Sequence, residues 1–173
     1  MGHRGILPGM SIAAELAALS PPALAARMAR LSWSDFGLEL AAQLPRSSWG
    51  SRKLYFDRQC EIGLFFLPRG ERIPLHDHPH IHVWMRVLCG QLRATSYTWH
   101  GPPLARRSGD AVLGVDSPVW AVLPEQDNLH ELTALHDVAF LDVLRPPYID
   151  GRACTYYDAA PAYDGLWRMS ARR

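Results

Sequence analysis

The spacing of apolar and polar positions changes once along the chain, near residue 50. Between residues 11 and 31, Ile12, Leu16, Leu19, Leu24, Met28 and Leu31 recur at roughly helical intervals in an Ala/Leu-rich stretch. Ser20-Pro21-Pro22 interrupts it. Ser20 suits an N-cap and Pro21 the first position of a new helix, so two helices are predicted. A short third helix is predicted over residues 33–44. These helices are expected to pack on a sheet face or cover an edge, with a partner-binding helix as the alternative. From residue 51 onward the apolar runs are short and alternating. Strands are predicted over residues 54–56, 61–67, 82–88, 91–99, 111–115, 119–123, 130–135 and 139–144. Cys89-Gly90 reads as a tight hairpin turn, and Gly101-Pro102-Pro103 and Arg145-Pro146-Pro147 as local turns. Short strands at close spacing predict a mainly β sandwich or barrel. With no internal repeat or low-complexity linker, the chain reads as a single domain: a helical preface, residues 1–50, packed on a β body, residues 51–173.

At 173 residues the chain is long enough to bury a core of its own. Its formal net charge is +1 and no basic stripe appears, which removes any argument for a nucleic-acid partner. No apolar run reaches membrane-spanning length, so no membrane partner is expected. Met1-Gly2-His3-Arg4 lacks the charged-then-apolar order of a secretory signal and the pattern of a myristoylation site. Cys60, Cys89 and Cys154 are an odd, scattered set without a CxxC pair. They read as reduced thiols, which favours a cytoplasmic location, nuclear as well in a eukaryote.

The densest chemistry is the run Leu75-His76-Asp77-His78-Pro79-His80-Ile81-His82. Histidines at every second position share one face of a strand, but Pro79 is expected to bend the chain and separate them. Several imidazoles close together repel when protonated and are hard to satisfy when buried. A shared metal answers both problems, because it binds the neutral ring. Two histidines from one strand and a third from elsewhere, with His130 as the candidate, leave open positions on a metal, as catalytic sites require. His100 and His136 sit in polar, loop-like contexts and read as surface residues.

Gly70, five residues, His76-x-His78, then His82 and later Gly90 resemble the first cupin motif, with His82 where cupins carry Glu. The cupin resemblance implies a double-stranded β-helix, or jelly-roll, barrel with a short N-terminal helical segment, and here an all-histidine site. A closer resemblance is carried by several ordered motifs. Ile73-Pro74-Leu75-His76-Asp77-His78-Pro79 and Val87-Leu88-Cys89-Gly90 come first. Asp127-Asn128-Leu129-His130, Leu141-Asp142-Val143-Leu144-Arg145-Pro146-Pro147-Tyr148 and Cys154-Thr155-Tyr156-Tyr157 follow. Together they are similar to the cysteamine dioxygenase and plant cysteine oxidase family of thiol dioxygenases.

That resemblance implies an Fe(II) enzyme that converts an aminothiol and O2 to a sulfinate, with cysteamine, the N-terminal cysteine of a peptide, or both as substrate. It implies His76, His78 and His130 as iron ligands, a site that nickel or zinc can also fill, and a monomeric protein. N-terminal cysteine oxidation would make such an enzyme an oxygen sensor. Asp142 matches an acidic residue near the iron: it either orients a ligand histidine or meets the substrate amine, or it makes a structural hydrogen bond to a loop. Tyr148 either closes the pocket or packs with its hydroxyl satisfied. Cys154 and Tyr156 match a pair that forms a thioether crosslink in the animal branch, the alternative being an ordinary Cys beside an ordinary Tyr. His80 stands where the family has Gly, and is expected to narrow the pocket, add a donor or displace the loop. Two further readings remain open on sequence: another cupin metalloenzyme with a different small-molecule substrate, and a non-catalytic ligand-binding cupin.

Overall fold

The computed structural model describes residues 8–36, 48–149 and 153–172. Helices α1 (Pro8–Ala17) and α2 (Pro21–Ala29) precede a 3-10 turn at Trp33–Phe36. Ser20 is the N-cap of α2, in an extended conformation but without a side-chain cap bond. Proline at the first helical position supplies the preset φ and gives up no N–H that the helix would use. The predicted third helix is, in its described part, only the 3-10 turn; residues 37–44 lie outside the described residues.

Eleven strands follow among the described residues: β1 (Gly50–Phe56), β2 (Glu61–Leu67), β3 (Arg72–Asp77), β4 (His82–Cys89), β5 (Gln91–Gly101), β6 (Leu104–Gly114), β7 (Trp120–Val122), β8 (Leu129–Ala134), β9 (Val138–Arg145), β10 (Tyr157–Pro161) and β11 (Leu166–Ala171). They form two antiparallel sheets, ordered β1-β2-β9-β4-β7 and β10-β11-β6-β5-β8-β3. Met85, Val87 and Phe140 of the first sheet pack with Ile73, Leu92 and Leu132 of the second in the interior between them. The mainly β expectation holds.

β9 is buried through Leu144 because both its faces are covered. Val138 and Phe140 face the interior, while Ala139, Leu141 and Val143 join the helices' cluster. That double cover is why the strand reads as an unbroken apolar run. On the outer side Leu16, Leu24 and Met28 pack against Ile62, Leu64 and Phe66, each such side chain contributing about 1.5–3 kcal/mol when fully buried. Arg145, at the end of β9, ties the helices to the sheet. Its guanidinium donates to the carbonyls of Leu19 (2.6 Å), Leu16 (2.7 Å) and Ala17 (3.1 Å). The Leu16 and Ala17 carbonyls end α1, where a cation also meets the negative end of the helix dipole, and Leu19 lies in the link to α2. Arg145→Ala is expected to cost about 2–4 kcal/mol, read as a lower urea midpoint at unchanged m-value. Arg145→Lys should recover only part, because one ammonium cannot span three carbonyls. A loss within the ~0.5 kcal/mol of an ordinary surface substitution would show the contact to be incidental.

Three expectations need correction. Cys89-Gly90 is not a hairpin turn: β4 pairs with β7 and β9, and β5 pairs with β6 and β8, so the turn passes the chain from one sheet to the other. Gly90 has φ +72, and a Cβ there would lie 2.0 Å from the Asp137 carbonyl oxygen, so the crossing needs a glycine. β6 begins seven residues before the predicted strand, through a polar and largely exposed stretch that carries no alternation signal. β3, β10 and β11 were not among the predicted strands. β3 contains Pro74, which argues against a strand except at an edge or bulge, and it occupies both. No helix among the described residues is long and apolar enough to cross a membrane.

Candidate metal centre

Strand register brings the histidines together. Pro74 and Leu75 form a bulge in β3, opposite β8, between the paired residues Ile73 and His76. The bulge resets the alternation, so Ile73 and His76 line one cavity while Leu75 packs in a cluster on the outer side. His76 lies directly across the β3–β8 ladder from His130, which in turn faces Ser96 of β5. His78 follows two residues after His76 and lines the same cavity. The chain then turns at Pro79-His80, with the Ile81 N–H donating to the His78 carbonyl at 3.1 Å. His80 is exposed in the left-handed region (φ 59), and His82 is exposed and stacked on Trp84. Neither lines the cavity. The narrowing expected from His80 is therefore not seen.

His76, His78 and His130, all buried, place their ligand atoms within 4.8 Å of one another. Hydrogen-bond partners fix two of the rings. His76 Nδ1 lies 2.8 Å from the Pro74 carbonyl, which can only accept, so Nδ1 carries the proton and Nε2 is bare. The Tyr148 hydroxyl donates to the Asp77 carbonyl at 2.7 Å, and so accepts from His78 Nδ1 at 2.6 Å. His78 Nε2 is then bare too. The two Nε2 atoms lie 3.1 Å apart, two lone pairs converging with no proton to share. A divalent cation is the group that this arrangement fits. His130 is positioned by the edge of Trp120, with ring centroids 5.1 Å apart. Its Nδ1 has no hydrogen bond of full geometry, although the Asp127 backbone acts on the ring as an acceptor.

Burial lowers the pKa of all three imidazoles, and charge repulsion among them pushes His78 and His130 further, well below the usual histidine range. They are neutral, as metal ligands must be. Asp142 lines the same cavity from β9, with Oδ1 buried and unpaired, and burial raises its pKa to about 8. In the metal-free protein it is a neutral acid at pH 7.

The other predicted site residues also meet here. Tyr148, Cys154 and Tyr156 line the cavity, and the Cys154 thiol lies near both tyrosine hydroxyls. Burial raises all three pKa values, so each keeps its proton. The cavity holds about 160 Å³, below the ~300 Å³ at which pockets for drug-sized ligands begin, so it admits a small group. Trp49 and Tyr156 also line a wider groove of about 440 Å³ with Pro74 and Arg172. Sequence reasoning missed Asp77. Its carboxylate accepts from the Thr155 N–H (2.8 Å) and the Tyr157 hydroxyl (2.9 Å), and so pins the segment carrying Cys154 and Tyr156 against β3. The signal was available, since an acid between two ligand histidines on a strand must point away from them.

Comparison with known proteins agrees with this geometry. The family model described as PCO_ADO matches residues 39–171. Plant cysteine oxidase 1 of Arabidopsis thaliana is 40% identical over 110 residues, covering 57% of this chain and 38% of that protein. The 2-aminoethanethiol dioxygenase of Homo sapiens is 36% identical over 126 residues, covering 56% and 47%. The chain spans about half the length of the curated relatives it matches. Among solved structures, an uncharacterized conserved protein with a double-stranded beta-helix domain from Klebsiella pneumoniae aligns with TM-score 0.51 at 10% identity, over 69% of this chain and 94% of that one. That likeness shows the fold. Because the family match runs through both sheets and all three clustered histidines, the chain belongs to the PCO/ADO family of thiol dioxygenases, on a cupin fold.

Proposed function

We propose that the chain is a non-haem Fe(II) thiol dioxygenase that converts an aminothiol and O2 to the sulfinate. The observation that carries this reading is the pair of bare Nε2 atoms of His76 and His78, 3.1 Å apart, in one buried cluster with His130. Iron held by these three neutral rings would keep its full charge, favour the substrate thiolate and supply the redox chemistry for O2. In the net reaction R–SH + O2 → R–SO2H, both oxygen atoms end on sulfur. Sulfur is oxidised by four electrons, O2 takes all four, and no other reductant is needed.

The chain's own residues do the rest. Tyr148 holds the His78 ring with Nε2 inward and keeps its own proton. Phe65, Ile73, Leu132 and Leu144 give the cavity apolar walls that exclude water. Asp142, the one carboxyl group in the lining, serves the substrate's ammonium, whose charge would draw off its proton. Cys154 and Tyr156, which both line the cavity, match the pair that forms a thioether link in the animal branch of the family. The cavity suits the two-carbon amine–thiol unit, and the groove beyond Trp49 and Tyr156 has room for a chain attached to the amine-bearing carbon. That supports N-terminal cysteine peptides as substrates beside free cysteamine.

The test is anaerobic Fe(II) loading followed by air, with cysteamine and a Cys-initiated peptide in separate reactions read by mass spectrometry. A gain of two oxygen atoms, about 32 mass units, is expected on the thiol. Gain on the peptide alone would identify protein N-termini as the target. No gain on either thiol with iron bound overturns the proposal.

A further inference from the structure

Asp127 is held by an unusual number of contacts for a loop residue. It sits in the left-handed region, φ 59, where few residues other than glycine, asparagine and aspartate are at ease. Its Oδ1 accepts from the hydroxyls of Ser96 (3.1 Å) and Ser108, and its N–H donates to Thr98 Oγ1 (3.0 Å). Ser96 and Thr98 come from β5 and Ser108 from β6, so three hydroxyls on two paired strands cradle one loop residue. Room for this is built in. A Cβ on Gly109 would lie 2.6 Å from Ser96 Oγ, so the glycine opposite Ser96 leaves that hydroxyl free to reach Asp127.

What this cradle holds is the approach to two of the three clustered histidines. The next residue, Asn128, accepts the His78 N–H on its carbonyl at 3.0 Å and ties its own side chain to the Pro124 carbonyl at 2.8 Å. Two residues further on is His130, locked between His76 and Ser96 in the ladder. The Asp127 backbone also faces the His130 ring as an acceptor. Moving Asp127 would shift the backbone beside His78 and the ring of His130 together.

We infer that Asp127 is a positioning residue of the metal centre, its side chain buckling the β8 loop to β5 and β6 so that His78 and His130 converge with His76. This rests on the metal-site reading and adds a role outside the ligand set. Supporting contacts of this kind are worth about 10–100-fold in metal affinity.

The experiment compares Asp127→Gly, which keeps the left-handed backbone and loses the buckle, with Asp127→Asn, which keeps both the backbone preference and an Oδ1 acceptor. Titration with Co(II), its visible absorption and the melting temperature of the metal-free protein are measured for each. Asp127→Gly is expected to bind Co(II) at least about tenfold more weakly, with an altered absorption spectrum. Asp127→Asn should restore both. Wild-type Co(II) affinity and spectrum in Asp127→Gly overturn the inference, whatever its melting temperature. If Asp127→Gly does not fold, Ser108→Ala decides on the same two readouts. Were the unaltered chain to take up no Co(II), the metal centre itself would fall and this inference with it; a fault in the thiol reading alone leaves Co(II) binding untouched.

Discussion

His78→Ala is expected to abolish metal uptake, and thiol oxidation with it. His78 Nε2 is bare because its Nδ1 proton is committed to Tyr148, and it faces His76 Nε2 at 3.1 Å. Two histidines remain after the substitution, on adjacent strands. Groups that merely support a ligand are worth about 10–100-fold in metal affinity, so losing a ligand should exceed about 100-fold. The change has a second, opposite signature in the metal-free protein. Burial holds the folded pKa of His78 well below the unfolded value of about 6.5. The stability that goes with its neutral form is therefore complete above pH 6.5, and is lost as pH falls below it, because the unfolded chain then binds the proton first. Without that titration, His78→Ala apoprotein should lose less stability between pH 7 and 5 than the unaltered apoprotein. Saturating metal at 100 times its Kd stabilises the native chain by about 2.7 kcal/mol. Melting curves with and without Co(II) read both effects. A metal-induced rise that survives in His78→Ala would remove His78 from the site.

The sequence made His76 and His78, at and just past the end of β3, legible because alternation is a rule of strands, and Pro79 marked where the rule stops. It could not show the bulge at Pro74 and Leu75. A bulge leaves no compositional trace beyond a proline, yet it decides that Ile73 lines the cavity with His76. The direct opposition of His76 and His130 was equally hidden. It depends on which strands are neighbours, and β3 and β8 are separated in the chain by four other strands. The misread turn at Cys89-Gly90 has the same origin. Two strand-like runs joined by a Gly look like a hairpin, and only the partners of β4 and β5 show that the chain changes sheets. The first two helices were legible to within a few residues because Pro21 and the 3.6-residue period are local signals. The polar half of β6 was not, since its residues are mostly exposed and carry no alternation. Where a feature depends on one strand alone, the sequence carried it; where it depends on pairing between distant strands, it did not.

Asp142→Asn is expected to stabilise the metal-free protein at high pH and, in the same variant, to impair aminothiol oxidation. The carboxyl group sits on β9 between Gly63 and Met85 of the neighbouring strands, with Oδ1 buried and unpaired. Burial raises its pKa to about 8, against about 3.9 in an unfolded chain. The folded protein therefore keeps a proton that the unfolded chain releases. Stability from this group is full below pH 4, declines as pH rises through the window from 4 to 8, and is gone above it. Asparagine has the same size and no proton to lose. Asp142→Asn apoprotein should match the unaltered apoprotein near pH 4 and exceed it by an amount that grows between pH 4 and 8 at up to about 1.4 kcal/mol per pH unit. Catalysis should move the other way. A substrate ammonium next to Asp142 favours its carboxylate, and a charge-assisted bond of about 1.5–3 kcal/mol corresponds to roughly 10–100-fold in rate. Oxidation of cysteamine should fall by that factor, while oxidation of 2-mercaptoethanol, which has the thiol and no amine, should fall much less. An equal fall for both thiols would move Asp142 from the amine to the orientation of a ligand histidine. An apoprotein whose pH–stability curve is unchanged by the substitution would show that the carboxyl group is not held neutral at all. If both effects appear in the one variant, the carboxyl group that weakens the empty fold at working pH is also the group that a bound ammonium pairs with.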